Sequence, residues 1–589
     1  MGIARRVKER VMQEAAKASR SAASFVAEAL RTEGVERVFT IPGVLSLELV
    51  DALAEQGPKP VLVTHESSAA FMADAIGRAF GSPGVFFVVP GPGIMNALSG
   101  IAASMADQIP VLCIVAGARK GSGKSFLIHE MPQREVLSPL VKDYLAPSRT
   151  EEIGPMVARA FRICRQAPPG PVVLELGPDL LEGPCPAEPY RAASSRPQTD
   201  RLPTAEVERA VKLLLDHPRA MIYAGKGAFH ASRQVMDLAE ILGAPVATTI
   251  SGRGILPEDH RLSLGFGWGP AGTERAQKAF SRADLVFGIG VRFSEMATGG
   301  FSMPDPPLLI HLDADSGAFH KNVRAEITLR ADSADALGQI LPALKRLLGK
   351  PRPGLAAELG EGSAAKAGGT GFKESGVPAP AAVYRALREI LPRDAILVAD
   401  TGNHMLWSLE AYPVYGPDAY LAPVDFQAMG YAVPAAIALS SIRPKRKVVA
   451  AVGDACFLMS GVELLTASRE GASLTVLVFA DRSLGVIKET QERVYRRTAA
   501  VDLEPPDYAS LAAGLKARHF AIRRHDDIEP VLKEALLASG PVLVEIDTVY
   551  AESSRFAKAS MSAAAKSLDL AQKLRMGARL AGRFIRSKG

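Results

Sequence analysis

Cysteine is scarce in this chain. Cys113, Cys164, Cys185 and Cys456 form no Cys-x-x-Cys pair and no metal-ligand spacing, which argues against a zinc site or a disulfide framework and reads as reduced thiols. Apolar runs long enough to span a bilayer are missing, and so is a signal-peptide pattern, so a cytoplasmic location is expected. There is no Walker lysine motif and no complete Gly-x-Gly-x-x-Gly. The chain also lacks a basic body. Of its net charge of +6, residues 1–20 carry +4 and residues 551–589 carry +7, which leaves −5 in between and argues against a nucleic-acid partner.

What is present suits a large globular protein. The 589 residues are 48% hydrophobic and 22% charged, too many for one domain and a natural length for three. The most telling stretch is residues 448–487. An apolar run, VVAAV, stops at Gly453-Asp454-Ala455; a helical pattern follows; a second run, LTVLVF, ends at Ala480-Asp481-Arg482-Ser483. A strand–helix–strand unit puts Asp454 and Asp481, 27 residues apart, beyond the carboxyl ends of their strands, where open parallel sheets bind ligands. Two carboxylates beside a helix N-terminus suit a hard divalent cation bridging to phosphate oxygens. Two strand-end acids in solvent is the plainer reading of the same residues.

This stretch resembles the magnesium–diphosphate motif of thiamine diphosphate enzymes, Gly-Asp-Gly followed by Asn-Asn, and the likeness is greatest to the large catalytic subunits of acetolactate synthases. Ala455 replaces the last Gly, and Ala480-Asp481 replaces Asn-Asn. The resemblance implies Mg2+ held by Asp454, the Asp481 side chain and the Ser483 carbonyl. The diphosphate would lie against Gly453, Asp454, Ala455, Cys456, Asp481, Ser483, Leu484 and Gly485. Asp for Asn keeps an oxygen ligand and adds a negative charge near the diphosphate, so metal affinity is expected to rise and cofactor affinity to fall.

Upstream, residues 1–20 read as a basic helix, with no myristoylation signal because position 6 is Arg6. A first domain, 21–190, opens on an amphipathic helix with Gly34 as its C-cap and continues as alternating apolar runs and helical patterns, the grammar of a parallel sheet. Glu66 starts a helix after the run PVLVTH. It resembles the family's activating glutamate, which holds a proton against the aminopyrimidine; alone it is a helix N-terminal acid complementing the dipole. Pro90 to Gly93 with Asn96 forms a strand-to-helix turn that allows close backbone approach. In the family such a loop lies beside the pyrimidine, and Pro42, Gly43, Gly91, Gly93 and Asn96 are the expected contacts. His129, in Ile128-His129-Glu130, stands where acetolactate synthases have Gln, fourteen residues before Lys142. His129 and Lys142 are candidate catalytic residues; His129 reads equally as a surface histidine in a Gly/Ser/Lys-rich loop.

A Pro-rich linker leads to a second domain, 204–348, again built of strand–helix–strand units, which resembles the family's central domain. Pro168 and the segment GFGWGPAG lack the Arg and His of flavin-binding members, while Arg292, Asp313 and Asp315 are kept. An empty, structural or ADP-like site is expected rather than flavin. Residues 349–377 form a linker. The third domain, 378–550, has a strand leading into Thr401, Gly402, Asn403 and His404, which the resemblance places at the diphosphate, and Met429, which in the family wedges under the cofactor and holds its two rings in a V. Thr490 stands where acetolactate synthases have a Trp that favours 2-oxobutyrate. The tail, 551–589, is a basic amphipathic helix that suits an anionic membrane surface, solvent or a subunit contact.

The expected fold is α/β, with three doubly wound parallel-sheet domains: pyrimidine-binding, central and diphosphate-binding. The resemblance implies a homodimer at least, with Glu66 from one subunit and the metal site from its neighbour. It implies decarboxylation of a 2-oxo acid such as pyruvate, then protonation or addition to a second carbonyl compound. Two alternatives stand: cleavage of a 2-hydroxyacyl or ketol carbon–carbon bond with the same cofactor, and a non-catalytic scaffold, which the changes at Ala455, Ala480-Asp481, Ile128, His129 and Thr490 would suit.

Overall fold

Among the described residues, three six-stranded sheets carry the chain, and every strand pairing within them is parallel. The computed structural model describes residues 20–118, 123–185, 188–193, 201–268, 271–360, 362, 376–550 and 553–559. The basic helix expected over 1–20 therefore lies outside the described residues apart from Arg20, as does the tail over 551–589 apart from 553–559. About half of the linker, at 361 and 363–375, lies outside them too.

The first sheet runs Lys59–Leu62, Arg37–Thr40, Gly84–Val88, Val111–Ala116, Pro171–Leu176, Asp143–Leu145. Numbered along the chain, that order is 2-1-3-4-6-5. The third sheet repeats it: Tyr420–Leu421, Ile396–Ala399, Val448–Gly453, Leu474–Ala480, Pro541–Asp547, Arg518–Ile522. The central sheet differs: Ser263–Phe266, Val246–Thr248, Ala220–Ala224, Leu285–Ile289, Leu309–Asp313, Ile327–Arg330 give 3-2-1-4-5-6. Both are doubly wound orders, and in each the crevice for a ligand opens at the carboxyl ends of the strands where the winding reverses. In the first and third sheets that point lies between the first and third strands.

The central strands explain why this architecture forms. Val111–Ala116 and Leu474–Ala480 are buried along their whole length, as strands covered by helices on both faces must be, and their sequences are almost unbroken apolar runs. Helices pack close through glycine: a Cβ on Gly77 would lie 2.3 Å from the Pro110 carbonyl, and one on Gly100 2.3 Å from the Ala70 side chain. The opening helix, Ala22–Thr32, is capped by the Ser21 hydroxyl, which accepts the Ser24 amide at 3.1 Å. Its C-cap is Glu33, not Gly34. Gly34 follows at φ +84°, because the left-handed residue of such an ending falls one place after the cap. Arg20–Ser21 pairs antiparallel with Pro184–Cys185, an element the sequence pattern did not suggest.

The chain forms two compact units. One combines the chain up to Pro197 with Pro434–Pro444 and Val462–Ala472; it contains the first sheet over a core that includes Val38, Leu112, Phe161 and Leu174. The other combines Gln198–Val433, Lys445–Gly461 and the chain from Ser473 onward. It contains the central sheet, with a separate apolar cluster on each face, and the third sheet with its own. No helix among the described residues is long and apolar enough to cross a membrane.

Candidate functional site

In the second unit, the carboxyl edge of the third sheet opens into a cavity of about 400 Å³. All the residues that the sequence put forward from this domain line it: Thr401 to His404, Met429, Gly453 to Cys456, Asp481, and Ser483 to Gly485. They come together because three adjacent strands end there. Ile396–Ala399 delivers Asp400 and the Thr401 loop, Val448–Gly453 delivers Asp454, and Leu474–Ala480 delivers Asp481.

Asp454 begins the helix Asp454–Ser460 and is buried. Its carboxylate accepts the Ala455 amide at 2.9 Å and the Arg482 amide at 2.7 Å. The Asp481 carboxylate accepts the Ser483 hydroxyl at 3.1 Å. Burial pushes the Asp454 carboxyl up from its ordinary value; burial, with the charge of Asp454 beside it, pushes Asp481 up to about 6. The two carboxylates are held out of water beside one another, and a cation bound there would offset that cost. Among the described residues no three His, Cys, Asp or Glu side chains are grouped so as to hold a metal ion, so any remaining ligands would be oxygens of the backbone or of a bound molecule.

Glycine shapes the floor of the cavity. Gly402, at φ +146°, and Gly453 both lie against the His404 ring, where added Cβ atoms would come within 2.7 and 3.2 Å. His404 is buried, its Nε2 has no hydrogen-bond partner, and burial holds its pKa down at about 3, so the ring is neutral. A Cβ on Gly485 would lie 2.4 Å from the Asp481 carboxylate, which keeps that position open to close backbone approach.

Asp400 escaped the sequence reading. It is fully buried, and its carboxylate accepts three amides: Thr401 at 2.9 Å, Gly430 at 3.1 Å and Ala432 at 2.8 Å. It therefore fixes both the Thr401 loop and the turn after Met429. Burial pushes it up to about 6, the amides pulling the other way. The signal was there to be read, since Asp400 ends its strand as Asp454 and Asp481 end theirs. The cavity wall also includes Glu295 and Met296 from the central domain, Gln427 from the third, and Tyr550 and Phe556 beyond the last strand. Thr490 lines it, its hydroxyl bonded to the Val486 carbonyl at 2.8 Å.

The first unit gathers a second group. Glu66 is the first residue of the helix Glu66–Phe80 and is buried, and its carboxylate accepts the Asn96 side-chain amide at 3.0 Å. A Cβ on Gly93 would meet Val89 at 2.7 Å and Glu66 at 3.5 Å, and one on Gly43 would meet Val89 at 2.4 Å, so the loop holding Pro42 and Gly43 and the turn from Pro90 lie together. His129, at φ +62°, packs over Gly91, whose Cβ would fall 3.0 Å from the His129 carbonyl; its Nδ1 is buried without a partner. Lys142 is held elsewhere. Its ammonium donates to the carbonyls of Ile163 and Gln166, at the C-terminal end of the helix Ile153–Arg165, where a cation complements the helix dipole. In these two bonds it caps a helix end.

Three family descriptions match the chain in order: the N-terminal TPP binding domain of thiamine pyrophosphate enzymes over residues 20–139, their central domain over 207–340, and their C-terminal TPP binding domain over 400–546. The chain is 31% identical over 541 residues to a probable acetolactate synthase large subunit of Methanocaldococcus jannaschii, covering 89% of this chain and 91% of that one. It is 29% identical to the acetolactate synthase large subunit of Haemophilus influenzae, over 90% and 95% of the two chains. Against the isozyme 3 large subunit of Escherichia coli it is 29% identical, over 88% and 92%. With all three domains matched in sequence order and the relatives aligned over most of their length, the chain belongs to the thiamine pyrophosphate enzymes.

Proposed function

We propose that this enzyme is magnesium-dependent, decarboxylates a 2-oxo acid such as pyruvate and joins the remaining carbon unit to a second carbonyl compound, as the names of its acetolactate synthase relatives suggest. A homodimer is the minimal unit of this reading, with Glu66 supplied by one subunit and the metal pair by the other. The three domains are taken as 21–190, 204–348 and 378–550, and the location as cytoplasmic.

The observation that carries the reading is the carboxylate pair Asp454 and Asp481 facing one cavity with Thr401, His404 and Met429. The group fits. Two buried carboxylates, with Asp481 raised further by the charge of Asp454, suit Mg2+, the partnerless His404 Nε2 suits an oxygen of an anion, and the glycines at 402, 453 and 485 leave room for one. Asp454, Asp481 and Ser483 are assigned to the metal. The residues 401–404, 453–456 and 483–485 are assigned to the diphosphate, and Met429 to the support of the rings. Bound thiamine diphosphate supplies the electron sink for the pair that a departing carboxyl group leaves behind. Glu66 holds and returns a proton, with Asn96 fixing which oxygen faces inward. Pro42, Gly43, Gly91 and Gly93 form the backbone bed beside it, and His129 stands by as an acid or base. No flavin is assigned to the central domain: Trp268, in the segment lacking the flavin-binding His, is buried against Tyr223, Phe280 and Phe293.

The test is titration calorimetry of thiamine diphosphate with Mg2+ and then with EDTA, followed by carbon dioxide release from a panel of 2-oxo acids. Metal-dependent binding and carbon dioxide release are expected. Aldehyde release from 2-hydroxyacyl substrates without decarboxylation would replace the reading by a carbon–carbon lyase. A folded dimer that binds no cofactor would overturn it.

A further inference from the structure

Glu66 follows an edge strand of its sheet. Lys59–Leu62 is an edge strand, paired only with Arg37–Thr40, and the chain from its end to Glu66 is a short turn, Val63 to His65. An edge strand alone does not fix a carboxylate to the accuracy that proton transfer needs. A segment from far downstream is laid over it. Val462–Ala472 belongs to this unit, and three of its side chains grip the strand and its turn. Glu470 pairs with Lys59 at 2.6 Å, Arg469 donates to the Leu62 carbonyl, and Glu463 reaches the turn itself.

Glu463 is fully buried, 399 positions along the chain from Thr64. One carboxylate oxygen accepts the Thr64 amide at 2.9 Å, the Thr64 hydroxyl and the His65 amide at 3.2 Å; the other accepts the Thr466 hydroxyl at 2.7 Å. A buried carboxylate is tolerated only when its lone pairs are met, and these are met almost wholly by the two residues that precede Glu66. We propose that Glu463 is a positioning residue for Glu66, acting through the Thr64–His65 backbone that it holds. The proposal rests on Glu66 being the proton-carrying carboxylate of the function proposed above.

Glu463→Ala removes every one of these bonds. Glu463→Gln keeps them, since its carbonyl can accept from Thr64 and His65 while its amide donates to the Thr466 hydroxyl. Three readouts separate positioning from bulk stability: hydrogen exchange of a peptide covering 59–68 in cofactor-free protein, kcat, and thiamine diphosphate affinity by calorimetry. In Glu463→Ala, exchange at 59–68 should quicken about tenfold. A loss in kcat of about 100-fold is expected from misplacing Glu66. Cofactor affinity should stay within about threefold, since the metal and diphosphate residues are untouched. Glu463→Gln should restore all three. Unchanged exchange at 59–68 in Glu463→Ala, or an affinity loss that matches the loss in kcat, would overturn the proposal. If Glu463→Ala does not fold, Glu463→Asp, one methylene too short to reach Thr64 and Thr466 together, carries the same expectations and the same refutation. A wild-type protein that binds no cofactor would defeat the proposed function alone, because the exchange experiment would still decide whether Glu463 holds the turn.

Discussion

The Asp454 carboxylate accepts the backbone amide of Arg482 at 2.7 Å, which ties the residue after one strand to the acid after its neighbour. Arg482 adopts φ +57° to make this bond, and Asp481 is thereby held in the field of Asp454. Among the described residues neither carboxylate makes an ion pair. The pair is destabilising as it stands, and a divalent cation held by Asp454 and Asp481 would relieve it.

Asp481→Asn should separate the two binding affinities. Removing one charge lowers Mg2+ affinity, measured without cofactor, by about tenfold. The same change takes a negative charge away from an anionic diphosphate, so cofactor affinity at saturating Mg2+ should improve. Calorimetry reads both. If both affinities fell, the added charge of Asp481 would not be what sets them.

Glu66→Gln should abolish turnover while the cofactor still binds. The amide keeps the size of the side chain and its contact with Asn96, but it can neither take nor return a proton. A fall in kcat of at least about 100-fold is expected. Calorimetry should give an unchanged Kd. Full activity in this variant would remove Glu66 from the mechanism.

Much of this was legible in the chain. Val448–Gly453 and Leu474–Ala480 announce themselves because strands buried on both faces must be apolar throughout, and the acids that end them mark the ligand edge. Tyr420–Leu421, Asp143–Leu145 and Arg518–Ile522 did not. They are edge strands, two of them of three residues or fewer and the third, Arg518–Ile522, of mixed residues, and their pairing is decided by tertiary packing. Glu463 was invisible for another reason. Its partners are backbone amides brought from the far end of the chain, and a glutamate in a helical pattern carries no sign of them. The contacts of Lys142 with a helix end were hidden in the same way, since carbonyls 21 and 24 positions away leave no mark on its motif spacing.

Asp400→Asn sets two effects against each other. Burial already disfavours the ionised carboxylate, so a neutral side chain relieves a cost; but the new amide must turn an N–H2 towards one of three N–H donors. Each effect is worth about 1–3 kcal/mol and they oppose, so stability should change by no more than about 2 kcal/mol. The turn carrying Met429 loses a bond on one side and shifts. A fall in kcat of about tenfold or more at nearly constant Tm is expected, since small displacements near the reacting groups are costly. A large drop in Tm with kcat preserved would show that Asp400 is needed for folding and not for the shape of the site.

His311 gives the central domain a pH dependence of known sign. It is fully buried, one ring nitrogen donates to the Val291 carbonyl at 2.8 Å, and burial holds its pKa down at about 4. In the unfolded chain the ring titrates near its ordinary value of about 6.5. Between those values the unfolded state binds a proton that the folded state does not, so the contribution is complete above about pH 6.5 and lost as pH falls towards 4. Asp313, on the same strand, is pushed up to about 6 by burial and works in the opposite sense, binding its proton in the folded state first. The wild-type curve therefore flattens, and the effect of His311 has to be read as a difference. His311→Gln cannot titrate. Its unfolding free energy relative to wild type should rise by about 2 kcal/mol between pH 7.5 and pH 4.5. Denaturant titrations of both proteins across that range measure the difference, and a constant offset would mean that His311 takes up its proton as readily folded as unfolded.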